Sequence, residues 1–204
     1  MPRRLSAAPV VRLERLALER AGRTLIRDLT WELEPGPVHW IVGENGLGKS
    51  TLLRVIAGRA RPSAGSVVRA SPLAWWGTRV PAPRVSVASW DRLLAGLLGE
   101  AGTAGSPELR PRDLPPDRRL DQLSNGELRR VLLEPVLRVA AAVLLLDEPF
   151  EHLSPIAKRG LRDRLTARAA DAVVLVATNQ DAWRLGCEPT LRLDEDAAWS
   201  LEDA

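Results

Sequence analysis

The sequence predicts an α/β fold with a mostly parallel sheet, on two observations. Short apolar runs that favour strands alternate with segments of helical periodicity along most of the 204 residues. A glycine-rich segment, GENGLGKST (residues 43–51), also separates a β-rich run from a helical one. A chain of this length is usually one domain with its own core, so we expect a single domain over residues 1–204.

The first half of the chain is predicted to be mainly strands. Residues 49–57 have helical spacing after the glycine-rich segment, and Gly58 can cap that helix. Residues 35–37 (PGP) mark a turn. The predicted strands are residues 10–18, 29–33, 38–42, 67–68 and 73–76.

The second half begins with a helical insertion and then returns to alternating elements. Residues 77–84 form a Pro-rich loop, and two predicted helices, residues 86–98 and 124–138, follow it around a turn-rich stretch. We therefore expect a helical subdomain over about residues 77–135. The later elements are a strand at residues 143–146, a helix at 155–169 and a strand at 172–177.

Composition excludes several classes of protein. The longest apolar run, residues 139–146, is far shorter than the roughly 20 residues that span a bilayer. The N-terminal MPRRLSAAP lacks the apolar region of a signal peptide, so we expect a cytoplasmic protein. The single cysteine, Cys187, cannot form an internal disulfide. Arginine is abundant, but no basic block is interleaved with aromatics, so we expect no nucleic-acid partner.

The glycine-rich segment has the pattern of a phosphate-binding loop. Gly43, Gly48, Lys49 and Ser50 fit G-x-x-x-x-G-K-[S/T], placed between a predicted strand and a predicted helix. Glycines let consecutive N–H groups turn toward phosphate oxygens, and the helix adds its positive end. We predict that this loop binds ATP with Mg²⁺, through Gly43, Glu44, Asn45, Gly46, Leu47, Gly48, Lys49, Ser50 and Thr51.

The choice of lysine in this loop supports the prediction. The chain has 29 Lys and Arg residues, of which only Lys49 and Lys158 are lysine. A compact ammonium fits between the β- and γ-phosphates, whereas the broad guanidinium of arginine would fit badly inside a closed loop.

Two carboxylates follow an apolar run in VLLLDEP, residues 143–149. A buried strand next to the phosphate-loop strand would bring Asp147 to the Mg²⁺, which Ser50 would also bind. Glu148 would face the γ-phosphate and orient the attacking water.

A third motif is LSNGELRRV, residues 123–131. Ser124 can cap the helix that follows, which would be an ordinary helix start. Alternatively, the same helix N-terminus contacts a second phosphate group.

With these three motifs in this order, the chain resembles the nucleotide-binding subunits of ABC transporters. The resemblance implies the ABC type of P-loop NTPase fold, with antiparallel edge strands beside the parallel sheet. It also implies a homo- or heterodimer in which ATP lies between residues 43–51 of one subunit and a signature segment of the other. The signature residues implied are Ser124, Asn125, Gly126 and Glu127.

Within this family the chain is most similar to the haem-exporter ATP-binding subunits of cytochrome c maturation. LERAGRTL (residues 18–25) and DEPFEHLS (residues 147–154) carry that likeness, together with the short length. It implies ATP-driven export through separate integral membrane subunits, with this chain peripheral on the inner face of the cell membrane. The alternatives are a degenerate regulatory partner in a heterodimer and a soluble ABC-type ATPase acting on ribosomes or DNA.

Several positions depart from the family pattern. Thr78 and Arg79 stand where relatives usually have a metal-reaching Gln, Glu127 replaces a Gln, and Ser154 replaces an Asp at the dimer contact. Asn179 stands where relatives have a switch His. Asn can donate a hydrogen bond to the γ-phosphate but cannot become charged. We therefore predict intact Mg-ATP binding with slow hydrolysis, catalysed by Glu148 with Asn179.

Trp75, Trp76 and Trp90 surround the Pro-rich loop. They either pack in the core or line a groove that receives a short helix of a membrane partner.

Overall fold

The computed structural model describes residues 11–77, 82–98, 114–179 and 190–201. Cys187, Thr78 and Arg79 lie outside these ranges. The helices are α1 (Lys49–Ile56), α2 (Val87–Leu98), α3 (Asn125–Arg138) and α4 (Pro155–Ala169). The strands are β1 (Val11–Arg20), β2 (Arg23–Leu33), β3 (Val38–Val42), β4 (Ala64–Arg69), β5 (Leu73–Trp76), β6 (Val143–Asp147), β7 (Val173–Thr178), β8 (Leu191–Leu193) and β9 (Trp199–Leu201).

A six-stranded sheet forms the centre of the molecule, in the order β5-β6-β7-β3-β8-β9. All neighbouring pairs are parallel except β8 and β9, which are antiparallel. Every residue of β6 and β7 is buried. Burial on both faces is typical of parallel sheets covered by helices, and it explains why these strands are continuous apolar runs. The predicted fold class is confirmed.

Most of the antiparallel strands form a second sheet of three, in the order β2-β1-β4. The sequence predicted only residues 29–33 of β2, because the register of β1 and β2 shifts at several points and breaks the period-two alternation. The pairing of Arg20 with Arg23 around a tight turn extends both strands beyond their predicted ends.

The central sheet separates two hydrophobic clusters, as the alternation along β6 shows. Val143 and Leu145 lie in the cluster that contains α1 and the three-stranded sheet. Leu144 and Leu146 lie in the cluster that contains residues of α3 and α4. Together the two clusters fix α1 on one face of the sheet and α3 and α4 on the other.

The sequence was wrong about one neighbour in the sheet. We expected the strand ending in Asp147 to adjoin the phosphate-loop strand, but β7 lies between β6 and β3. The connection from β6 through α4 returns to the same sheet, and β7 then pairs with β6 on one side and β3 on the other.

The tryptophans near the Pro-rich loop pack in the core. Trp76 is only 3% exposed and belongs to the cluster on the α3 side, and half-buried Trp90 packs against that cluster. This supports the core interpretation over a partner groove for Trp76. No helix within the described ranges has the length and apolar character needed to cross a membrane.

Candidate functional site

The carboxyl ends of β3, β6 and β7 meet at one edge of the sheet. Val42 is in register with Thr178, and Asp147 is in register with Ala177. The chain leaves β3 at this edge and continues through Gly43. Open α/β sheets bind ligands outside the carboxyl ends of their strands, so the topology places the polar residues in the expected position.

The loop after β3 is shaped by glycines in conformations that other residues rarely adopt. Gly43 has φ 152°, and a Cβ there would lie 2.5 Å from the carbonyl oxygen of Leu193. Gly48 has φ 107° and immediately precedes α1, and a Cβ there would make a tight contact of 3.1 Å with Leu25. No side chain among the described residues caps α1 at Gly48. The first N–H groups of α1 are therefore suited to an anion.

Lys49 is the buried cation of this loop. Its side chain is folded inward, and Nζ donates to the carbonyl oxygens of Gly43 at 2.7 Å and Glu44 at 2.9 Å. Burial lowers the pKa of Lys49, while the nearby charges of Glu148 and Asp147 oppose that shift. Phosphate oxygens can replace the two carbonyl oxygens as acceptors for this ammonium.

The two residues predicted to bind metal are in direct contact. The hydroxyl of Ser50 donates to Oδ1 of Asp147 at 3.0 Å, and Asp147 has no exposed surface. Both are hard oxygen donors of the kind Mg²⁺ prefers. Since the described residues hold no group of three or more His, Cys, Asp or Glu that could bind a metal, a Mg²⁺ ion here would need phosphate or water ligands as well.

Glu148 directly follows β6 in a left-handed conformation, with φ 50°. Its N–H donates to the carbonyl oxygen of Ala177 at 2.9 Å. Its carboxylate accepts hydrogen bonds from the Thr178 side chain and the Asn179 backbone. Burial raises the pKa of Glu148, partly offset by the positive charge of Lys49. A half-buried carboxylate near a lysine can act as a base or orient water.

Asn179 follows β7 at once, and its side chain is exposed at the same edge. The structure therefore brings the two residues predicted to be catalytic together, through the backbone of Asn179. Thr178 was missed by the sequence analysis. Its signal was a polar residue at the carboxyl end of a buried strand.

Ser124 is the N-cap of α3 and forms a capping box with Glu127. The Ser124 hydroxyl accepts from the Glu127 N–H at 3.3 Å and donates to Glu127 Oε2 at 2.7 Å, which also accepts the Ser124 N–H at 2.9 Å. These bonds from Ser124 lower the pKa of Glu127. Arg118 lies 3.7 Å from the other carboxylate oxygen. The exposed helix start is thus rigid, with the charge of Glu127 partly neutralised.

The rest of the signature segment packs on the loop that follows β6. A Cβ at Gly126 would lie 2.6 Å from the carbonyl oxygen of His152, so only glycine allows this close approach. Among the described residues, no hydrogen bond or ion pair joins residues 124–127 to the phosphate loop. Within one chain, residues 124–127 and residues 43–51 are therefore not bonded to each other.

The chain matches the family profile described as ABC transporter over residues 26–151. It is 31% identical to a cytochrome c biogenesis ATP-binding export protein, CcmA of Hyphomonas neptunium, over 87% of this chain and 93% of that protein. It is 36% identical to a zinc import ATP-binding protein, ZnuC of Halorhodospira halophila, over 83% of this chain and 68% of that protein.

A solved structure titled as an ATP binding subunit of an ABC transporter superposes with a TM-score of 0.76. The alignment covers 94% of this chain and 90% of that one at 22% identity, which shows a common fold. The family profile, the sequence relatives and a phosphate loop beside an acidic strand agree with each other. This chain belongs to the ABC transporter family and is an ATP-binding subunit of the P-loop ATPase type.

Proposed function

We propose that this chain couples the binding and slow hydrolysis of ATP to export through separate membrane subunits. The observation that carries the proposal is the contact between Ser50 and Asp147 beside inward-folded Lys49. In one small volume these residues offer a cation for phosphate and two oxygen donors for Mg²⁺.

The roles follow from this geometry. Residues 43–51 bind the phosphates of ATP, with Lys49 between the two terminal groups, and Mg²⁺ held by Ser50 and Asp147 would neutralise their charge. Glu148 orients the attacking water and accepts its proton, since its half-buried carboxylate is held by Thr178 and Asn179.

The active unit is a dimer of nucleotide-binding subunits. Residues 124–127 form the exposed start of α3. Among the described residues they have no hydrogen bond to the phosphate loop of their own chain. We infer that they contact ATP bound to the other subunit. The whole chain, residues 1–204, acts as one nucleotide-binding domain with a helical subdomain at about residues 77–135.

Slow hydrolysis follows from Asn179. Its backbone is hydrogen-bonded to the carboxylate of Glu148 and the residue is exposed, so its side chain can donate a hydrogen bond but cannot carry a charge. Losing a positioned acid-base contact typically lowers a rate by about 10²–10⁴-fold.

Haem is the cargo that the likeness to cytochrome c biogenesis subunits favours. The alignment with that relative covers 93% of its length, against 68% for the zinc importer. The chain would then act at the inner face of the membrane, bound to integral membrane subunits.

A second candidate is a regulatory subunit that binds ATP in a heterodimer and leaves hydrolysis to its partner. Ser154 favours it. Its hydroxyl caps α4, accepting the Ala157 N–H at 3.3 Å, so this position carries a structural residue where the family has a dimer-contacting Asp.

Calorimetry of Mg-ATP binding and a turnover assay would test both candidates on the purified chain, alone and in complex with its membrane partner. Binding with slow turnover that Glu148→Gln abolishes supports the first candidate. Binding with no turnover in either preparation supports the regulatory subunit. Absence of binding at millimolar ATP in both preparations contradicts both.

A further inference from the structure

Arg129 is a buried cation that the roles above do not use. It lies in the second turn of α3, the helix that begins at the signature segment, and is only 9% exposed. Arginine is almost never this buried unless it is paired. Its partners therefore indicate what it holds in place.

Those partners come from two other parts of the chain. One guanidinium nitrogen donates to the backbone carbonyl oxygen of Glu148, and the other donates to Oε2 of Glu151 at 2.9 Å. The guanidinium carbon also lies over the ring of Trp76, 5.9 Å from its centroid. A single side chain thus connects the signature helix to β5 and to the segment that carries the hydrolytic carboxylate.

The bond to Glu148 matters because of the backbone there. Glu148 has φ 50°, which side-chain-bearing residues adopt only when the surroundings hold them. On one side of this residue the N–H is bound to Ala177 of β7, and on the other side the carbonyl oxygen is bound to Arg129. The direction of the carboxylate therefore depends on the position of α3.

A second contact ties the same two segments together. The backbone of Gly126, at the start of α3, lies so close to His152 that a Cβ would meet its carbonyl oxygen at 2.6 Å. The start of α3 is therefore in close backbone contact with residue 152, in the segment that follows Glu148.

We propose that Arg129 is a positioning residue that couples the signature helix to Glu148. It rests on the proposed function, in which residues 124–127 contact the nucleotide of the other subunit. When that contact forms, α3 moves as a rigid element, and Arg129 brings the Glu148 backbone into the geometry that hydrolysis needs at this chain's own phosphate loop. Each subunit thereby senses one nucleotide and acts on the other.

Arg129→Met tests this coupling, with Arg138→Met as the matched control. Arg138 lies on the same helix, is 11% exposed and pairs with buried Glu134 at 2.8 Å. In both variants the carboxylate left behind is tolerated: Glu151 is half exposed, and Glu134 keeps Arg164 at 2.6 Å. The two substitutions thus remove similar ion pairs, but only Arg129→Met also removes a hydrogen bond to Glu148.

We expect Arg129→Met to lower kcat by about tenfold or more, the effect of losing a charge-assisted hydrogen bond to a buried group. The Kd for Mg-ATP and the KM should stay within about threefold, because the phosphate loop is untouched. Arg129→Lys should recover part of kcat, since an ammonium can reach one acceptor but not both. Arg138→Met should leave kcat within about twofold despite a similar fall in Tm.

Amide hydrogen exchange gives a readout that does not require turnover. Without nucleotide, residues 148–153 should exchange about tenfold faster in Arg129→Met but not in Arg138→Met, because exchange reports local opening. When Mg-ATP is added, the wild-type protein should gain protection from exchange at both residues 124–128 and residues 148–153. Arg129→Met should gain protection only at residues 124–128.

Unchanged kcat and unchanged exchange in Arg129→Met would overturn the coupling, and so would equal losses in Arg138→Met. Wild type that fails to bind Mg-ATP would instead refute the proposed function. The exchange measured without nucleotide would then still decide whether Arg129 holds the Glu148 segment.

Discussion

Replacing Lys49 by Ala should weaken Mg-ATP binding by at least two orders of magnitude. The ammonium makes two short hydrogen bonds to loop carbonyls, at 2.7 and 2.9 Å, and the Lys49 residue is 5% exposed. Phosphate oxygens would take over these two bonds. Each charge-assisted bond is worth about 1.5–3 kcal/mol, so losing both costs about 3–6 kcal/mol, or about 10²–10⁴-fold in Kd.

The fold should survive this change. Removing the ammonium takes away two hydrogen bonds but also relieves the desolvation that lowers the pKa of Lys49. We expect the free energy of unfolding to fall by no more than about 1–2 kcal/mol. Isothermal titration calorimetry with Mg-ATP gives Kd, and thermal unfolding of the same samples checks the fold.

Lys158→Ala is the matched control, because Lys158 is the only other lysine and sits on α4. It makes the same change in charge away from the loop, so its Kd should match wild type. Lys49→Arg keeps the charge but places a larger group in the closed loop. Such overpacking typically costs about 1–3 kcal/mol. Wild-type affinity in Lys49→Ala would refute the phosphate-loop assignment, and full affinity in Lys49→Arg would refute the steric reason for lysine.

Three further predictions concern the carboxylate, the switch position and the signature. Glu148→Gln should abolish turnover and keep Mg-ATP binding. It should also raise Tm at pH values above the folded-state pKa of Glu148, because burial raises that pKa and penalises the ionised form. This gain should vanish as pH falls below the unfolded pKa of about 4.3, where both states are protonated, and a constant gain in Tm across pH 4–8 would contradict it. Asn179→His should raise kcat by about tenfold or more by restoring a group that can carry charge, whereas an unchanged kcat would mean that Asn179 does not limit hydrolysis. Ser124→Ala should lower the free energy of unfolding by about 1 kcal/mol through loss of the α3 cap, as Ser154→Ala should for α4, but only Ser124→Ala should also weaken ATP-dependent dimerisation measured by analytical ultracentrifugation.

The central sheet could be predicted because its strands are buried on both faces. Residues of β6 and β7 read as uninterrupted apolar runs, and the pattern of strand, glycine-rich loop and helix located β3 and α1. The cap of α3 was also predicted, since Ser124 directly precedes a helical segment, whereas the same role of Ser154 at the start of α4 was missed.

The antiparallel sheet was predicted less well for a physical reason. Its strands are irregularly paired, with register shifts along β1 against both β2 and β4. β4 was reduced to residues 67–68 because most of its side chains are exposed, which leaves little apolar signal. The order of strands in the central sheet depends on long-range pairing, which no local pattern encodes.

The parts of the site differ in whether the residues that interact are close together in the sequence. Lys49 folds back on Gly43 and Glu44, which lie six and five residues away, so one short motif contains the loop and its cation. The carboxylate of Glu148 instead depends on Thr178 and Asn179 at the end of β7, and its backbone depends on Arg129 of α3.

This difference explains why sequence reasoning found Lys49 and missed Arg129. A binding loop can be encoded by neighbours in sequence, because backbone amides and one lysine suffice to hold phosphate. A hydrolytic carboxylate must be oriented, and here the residues that hold Glu148 come from two distant segments of the chain, α3 and the end of β7. Substitutions in those segments should therefore change kcat more than Kd, whereas substitutions in residues 43–51 should change Kd first.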